Sequence, residues 1–471
     1  MSGARARPGA PIRIGSYHAV VMRRLGVLAG FCAAAFALGI IAPSAASART
    51  QTFKLKSQTF LLSGFQTIFP KVRVQTPRHS GFITRMEAHL IDERGRRVSI
   101  RNVMLHHIVF ITSGAQKSGS CPGRGGEPFW GTGEERQPLK LPEGYGYQIG
   151  AKDTWRMQTM LMSHSLKAHS VRVVYTVRMV IGATLKRVKP LWLRANGCSK
   201  HPSYDIEGDQ PPGSIHTKQS LWRMPLSGRI VAASGHLHGS SYGLKVTQPR
   251  CKDRVLIDQK PLYGYPDDIV YRARPVLHEP GPIATGMFLS KDGIPVRKGE
   301  MLKVTGYYDG SRPHPRVMAI THVYIAVDGS APRACAPIPK DAHIFWTRKD
   351  GRSQPPVIDL PLNGLKDGKV VEIDRPPGAE KIVNSTATLV TVGSEKFLPA
   401  NLSIARGTKV VWKFIDTSLH NILLANGPRH VASTTLTKGG RYEKTLYEPG
   451  EYKLFCYLHP ITMTQVIDVR P

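Results

Sequence analysis

Acidic residues are scarce in this chain. Its 33 Asp and Glu stand against 65 Lys and Arg over 471 residues, a formal net charge of +32. That excess predicts attraction to anionic surfaces, acidic partner proteins or polyanions. The chain also lacks a helix-borne basic cluster and any recognisable nucleic-acid motif, so nucleic acid is not expected among its partners. No apolar run of about 20 residues follows residue 42, so a polytopic membrane protein is not expected. Tandem repeats and convincing long helices are missing too. The 41% hydrophobic content nevertheless fits a globular protein with several buried cores.

Cysteine is sparse, with six in the chain. Cys32 falls in an N-terminal segment that reads as an export signal. Met22-Arg23-Arg24 supplies a charged start, Leu25 to Ala42 an apolar stretch, and Ala46-Ser47-Ala48 a small-residue cleavage site. Residues 1–48 are therefore expected to be a signal peptide, with Met22 a possible true start, and the protein secreted or periplasmic. Of the remaining cysteines, Cys121, Cys198, Cys251 and Cys335 can form two disulfides in an oxidising compartment, with three pairings open.

Short β-rich runs broken by Gly and Pro fill residues 52–345, as in Val171-Arg-Val-Val-Tyr-Thr-Val-Arg-Met-Val. Alternating runs of this length predict antiparallel sandwiches. A polar stretch around Asn196 to Ser220 divides the region into 52–195 and 196–345. Residues 346–383, rich in Pro, Gly, Asp and Lys, read as a linker, and 384–471 return to strand after strand. The expected fold is all-β: a two-subdomain antiparallel β-sandwich region followed by a Greek-key β-sandwich.

Near the C-terminus, Cys456-Tyr-Leu-His459-Pro-Ile-Thr-Met463 puts a thiolate, an imidazole and a thioether on one short loop. Cys456 ends an apolar strand, and Thr464 to Val469 turns back beside it, so a tight loop gathers three side chains around one point. His420, in Ser-Leu-His420-Asn421, reaches the same point from a neighbouring strand. Two imidazoles and a soft thiolate with a weak thioether form the ligand set of a blue-copper electron-transfer site. Pro460 stiffens the loop beside its histidine. The expected partner is a redox protein or a small reductant.

On these residues, and on Phe397-Leu-Pro-Ala-Asn-Leu-Ser-Ile-Ala-Arg-Gly-Thr-Lys-Val-Val-Trp upstream of them, the C-terminal segment resembles a cupredoxin of the plastocyanin–amicyanin type. The resemblance implies one type 1 copper held by His420, Cys456, His459 and Met463, with Asn421 bracing the loop.

Three more histidine groups precede it: His106-His107 in Asn102-Val-Met-Leu-His-His-Ile, His164 in Met-Leu-Met-Ser-His, and His236-Leu-His238. Residues i and i+2 on a strand share a face, so His236 and His238 can bind one metal. Adjacent His106 and His107 face opposite sides unless a bulge or strand end intervenes. With Leu141-Pro-Glu-Gly-Tyr-Gly-Tyr-Gln-Ile-Gly and Gly306-Tyr-Tyr-Asp-Gly, residues 52–345 resemble the copper type II, ascorbate-dependent monooxygenases. Peptidylglycine hydroxylating monooxygenase belongs to that family, and the stress-upregulated nodulin-like relatives are closer still. The resemblance implies an electron-accepting copper at His106, His107 and His164. It implies an oxygen-binding copper at His236, His238 and Met318, with His314 or His322 as alternatives to Met318. The family member acting on peptides carries an Arg where this chain has Ser234, which argues against amidation of glycine-extended peptides and leaves a non-catalytic copper protein as the alternative.

Overall fold

The computed structural model describes residues 48–112, 119–121, 126–327, 333 and 335–471. The proposed signal segment lies outside the described residues apart from its last position. Among the described residues, helix is confined to one turn at Ile269–Arg272 and a 3-10 turn at Pro249–Cys251. No helix there is long and apolar enough to cross a membrane.

The upstream region is built on one 11-stranded sheet. Its first half runs Arg49–Lys56, His169–Ile181, Gly81–Ile91 and Tyr145–Ile149, and its second half Lys186–Arg194, Ala319–Ala326, Gly228–Leu237, Met287–Val296 and His343–Phe345. A five-stranded sheet centred on Trp155–Ser163 and Val103–Thr112 faces the first half. The core between them is aromatic: Phe129 stacks on Tyr147 at 4.9 Å, and Phe110 on Trp130 at 5.4 Å. Such rings bury a large apolar area, and fixed offset packing adds about 0.5–1.5 kcal/mol per pair. A four-stranded sheet, with Ile215–Arg223 at its edge and Met301–Asp309 at its centre, closes a second core around Leu244, Val304 and Val323.

Sequence composition put a boundary after residue 195, yet the strand Lys186–Arg194 bonds along its length to Ala319–Ala326 and by only two residue pairs to Tyr145–Ile149. The polar loop that follows marks a chain connection, whereas hydrogen bonding places the preceding strand with the second sandwich. The segment read as a linker, 346–383, carries a hairpin of Leu362–Lys366 and Lys369–Ile373. Its last strand, Glu380–Val383, pairs in parallel with Asn401–Ala405.

The cysteines pair as Cys121–Cys198 and Cys251–Cys335. The C-terminal segment forms two sheets, one of five strands from Glu380–Val383 to Leu423–Asn426 and one of four around Ala387–Gly393 and Thr408–Phe414. Between them lies a core of Val390, Trp412, Tyr452 and Ile467, with Cys456 and Met463 among its buried members.

Candidate metal centres

Antiparallel pairing of Gly450–Phe455 with Thr464–Arg470 ends at Phe455 opposite Thr464, which leaves Cys456 to Met463 as the connecting loop. The loop is closed by its own backbone. Cys456 N–H donates to Met463 C=O at 3.0 Å, and Met463 N–H donates to His459 C=O at 3.0 Å. His420 is held in place by reciprocal backbone bonds with Leu436.

These constraints bring His420 Nδ1 and His459 Nδ1 to 3.2 Å, with Cys456 Sγ 3.8 Å from His459 Nδ1. The nitrogen spacing fits two imidazoles each about 2.0–2.1 Å from one transition-metal ion. Met463 is fully buried in the same core cluster as Cys456. Asn421 Oδ1 accepts the Tyr457 N–H at 3.2 Å and so ties the His420 segment to the loop. Burial pushes the Cys456 thiol up, so metal binding must displace its proton. Sequence reading missed Asp416, whose carboxylate lies 3.0 Å from His420 Nε2. With Nε2–H donating there, Nδ1 keeps its lone pair for a metal. An acid four residues before a ligand histidine was the available signal.

Residues 385–470 match the plastocyanin/azurin family of copper-binding proteins. Copper is the metal of this cupredoxin domain. The novel purple cupredoxin from Nitrosopumilus maritimus is 29% identical, covering 17% of this chain and 98% of that one, with a TM-score of 0.16. The chain is 25% identical over 288 residues to the probable copper-dependent oxygenase M1 of Phoma sp., covering 55% of this chain and 67% of that protein. It is 24% identical over 274 residues to the probable copper-dependent oxygenase clz3 of Cochliobolus lunatus, covering 52% and 80%.

In the upstream region a bulge decides the geometry of the adjacent histidines. Met160 pairs with His107 and Leu161 with Leu105, so His106 is the extra residue in its strand. The bulge turns both imidazoles to one side, with Nδ1 to Nδ1 at 3.3 Å. His236 and His238, at the end of Gly228–Leu237, have ring centroids 5.2 Å apart. The two groups meet, because the His106 ring lies 5.5 Å from that of His238. His164 stands at the edge, its ring 6.4 Å from that of His278.

Met318 sits between His314–Val317 and Ala319–Ala326. Its carbonyl accepts from Tyr308 Oη, which in turn accepts the His238 N–H at 3.3 Å. Of the two alternatives to Met318, His314 is ion-paired to Glu279 at 2.9 Å and His322 is stacked on Trp192 at 3.8 Å.

Three residues of this cluster escaped the sequence. The turn Gly133-Glu134-Glu135-Arg136 after Glu127–Thr132 delivers two carboxylates, and His278 arrives from a proline-flanked loop. Glu135 Oε2 lies 3.2 Å from His236 Nδ1. Gly133 admits the His236 ring, since a Cβ there would lie 2.3 Å from it. In the sequence Glu134-Glu135 is an ordinary acidic pair, and its burial beside the imidazoles emerges only from the fold. Burial, reinforced by neighbouring imidazoles, keeps the rings uncharged: it brings His107 down to about 4 and His164 to about 4, and holds His106 and His238 well below the usual range. Neutral imidazoles bind metal without first losing a proton. His236 runs the other way, because Glu135 outweighs the effect of its burial.

The cupredoxin loop is seated beside this cluster. Ile461 joins Phe65, Met104, Met162 and Leu277 in one buried apolar group. Tyr457 is flanked by Phe69, with ring centroids 6.0 Å apart, and by the Arg316 guanidinium at 4.7 Å. Arg316 also donates to the Ser433 carbonyl.

Proposed function

We propose that this is an exported copper protein whose cupredoxin domain relays single electrons to an oxygen-activating, histidine-rich centre in residues 52–345. The observation that carries the reading is the seat of Ile461 on Met104 and Met162, each two residues before a candidate ligand, His106 and His164. Its likeness to two probable copper-dependent oxygenases supports it. The disulfides Cys121–Cys198 and Cys251–Cys335 support an oxidising compartment.

Copper bound at His420, Cys456, His459 and Met463 would supply reversible one-electron transfer. The protein's own part is to hold these ligands rigid: Asp416 fixes the His420 tautomer, and the loop bonds keep Cys456 and Met463 in register. Upstream, His106, His107 and His164 would receive the electron, and His236, His238 and Met318 would serve oxygen. Hydroxylating a C–H bond with O2 consumes two electrons and two protons and yields an alcohol and water. The electrons come singly from an external donor, a redox protein or small reductant, and the basic surface favours an acidic one. A cavity of about 720 Å3, lined by His164, His278, Met104 and Tyr271, gives a substrate access to the cluster.

Replacing Cys456 by Ser in the full chain tests the relay. Reductant-driven oxygen uptake should stop while upstream metal content is unchanged; undiminished uptake would refute the reading. A second reading is a copper protein without turnover, favoured by Ser234 at the position of the substrate-binding Arg. About one copper per wild-type chain, all of it in the cupredoxin, would establish that instead.

A further inference from the structure

We propose that His106, His278 and Glu134 form a two-histidine, one-carboxylate site for a divalent first-row metal ion. His278 and Glu134, in place of His107 and His164, thus complete the ligand set of His106. The inference rests on the oxygen-activating reading above and revises one part of it, the ligand set given there to the electron-accepting metal at His106.

The geometry is compact. One ligand atom from each of the three residues lies within 4.8 Å of the other two. His278 Nε2 is 2.9 Å and His106 Nε2 3.4 Å from the same oxygen, Glu134 Oε1. The other carboxylate oxygen, Oε2, accepts the Gly281 N–H at 3.0 Å, which fixes the plane and leaves Oε1 to face both rings. The side chains of His106, Glu134 and His278 are 9%, 8% and 20% exposed, so water contributes little to their solvation.

A structural ion pair is the competing explanation, and the surroundings count against it. One carboxylate needs one base, whereas the single oxygen Glu134 Oε1 is approached by the Nε2 atoms of both His278 and His106. A cation held among that oxygen and the two Nε2 atoms satisfies all three donors at once. His278 also lines the 720 Å3 cavity, so an ion at this site would have a side open to a small ligand.

Two imidazoles and one carboxylate with open positions form the donor set of oxygen-activating iron(II) sites, and imidazole suits copper equally. The shared requirement is a divalent ion. A carboxylate is a harder donor than the thiolate and thioether of the cupredoxin, so the two centres would differ in the metals they prefer.

The test compares the full chain with Glu134→Gln, His278→Gln and His164→Gln. Each protein is stripped of metal and reloaded with copper(II), or anaerobically with iron(II), and metal per chain is counted. After the copper loading, the thiolate-to-copper absorption near ~600 nm reports an intact chain. E134Q and H278Q should each lose one upstream equivalent, or bind it more than about tenfold more weakly in chelator competition, as loss of a ligand or its support does. H164Q should keep it. The arm in which E134Q fails identifies the resident metal. Loss of metal in H164Q with full retention in E134Q and H278Q would overturn the proposal and leave the oxygenase reading standing. A wild-type chain that takes no upstream metal in either arm would overturn both.

Discussion

Asp416 offers the sharpest test of how the cupredoxin ligands are held. Its carboxylate oxygens lie 3.0 and 3.2 Å from His420 Nε2, and Oδ2 also accepts the Ser394 N–H at 2.6 Å. Asp416→Ala removes the acceptor that keeps the proton on Nε2, so Nδ1 must compete with a proton for the metal. Loss of such a supporting group costs about 10–100-fold in metal affinity. His420 is fully buried, but the Asp416 side chain is 28% exposed and water can partly replace it. The expected loss is therefore at the lower end, about 10–30-fold, or roughly 1.4–2 kcal/mol. Asp416→Asn keeps an acceptor and loses the charge, and should fall between the alanine variant and wild type. The assay is a competitive copper titration against a calibrated chelator, read at the thiolate absorption, with melting of the metal-free protein as a folding control. Removing the anion should also raise the reduction potential, because the oxidised metal loses a stabilising charge. Affinity within about twofold of wild type would refute the tautomer argument.

His314 should make stability fall on the alkaline side. Burial disfavours its charge, but Glu279 and Asp309 hold it up to about 9, against an ordinary 6.5. Its contribution is full below pH 6.5 and is lost as pH rises through about 9, a change of roughly 3 kcal/mol at this buried site. His314→Gln should flatten denaturant unfolding curves between these limits. Cys121 and Cys198 are 77 residues apart, so replacing both by Ser should cost about 4.5 kcal/mol on a chain-entropy estimate, seen as a lower unfolding midpoint. Gly133→Ala would drive a methyl into the His236 ring. It should release upstream metal while leaving the cupredoxin absorption intact, as metal analysis beside the visible spectrum would reveal.

The grouping of His420, Cys456 and His459 was legible because the expected ligands other than His420 lie on one loop of eight residues, where sequence spacing is spatial spacing. Reading adjacent His106 and His107 required a bulge or a strand end, and the structure supplies the bulge. The upstream cluster was legible only in part. Its histidine pairs show as local patterns, but Glu134 and His278 are 144 residues apart and each looks ordinary in its own loop. Nothing in a single sequence links them. The disulfide pairing was likewise undetermined, since all four cysteines lie in irregular surroundings with no periodicity to orient them.

The extra residue at His106 has a second effect beyond aligning two imidazoles. Side chains alternate along a strand, so one inserted residue inverts the facing of everything on its N-terminal side. Met104 consequently shares a face with Met160, Met162 and Ile461, while Leu105 joins the sandwich core with Leu161. Straightening the strand would swap them, sending Met104 inward and Leu105 toward the cupredoxin loop. The placement of the two imidazoles and the seating of the cupredoxin loop are thus set by a single structural parity. A point substitution can adjust either one alone, whereas gain or loss of one residue at this position would switch both together.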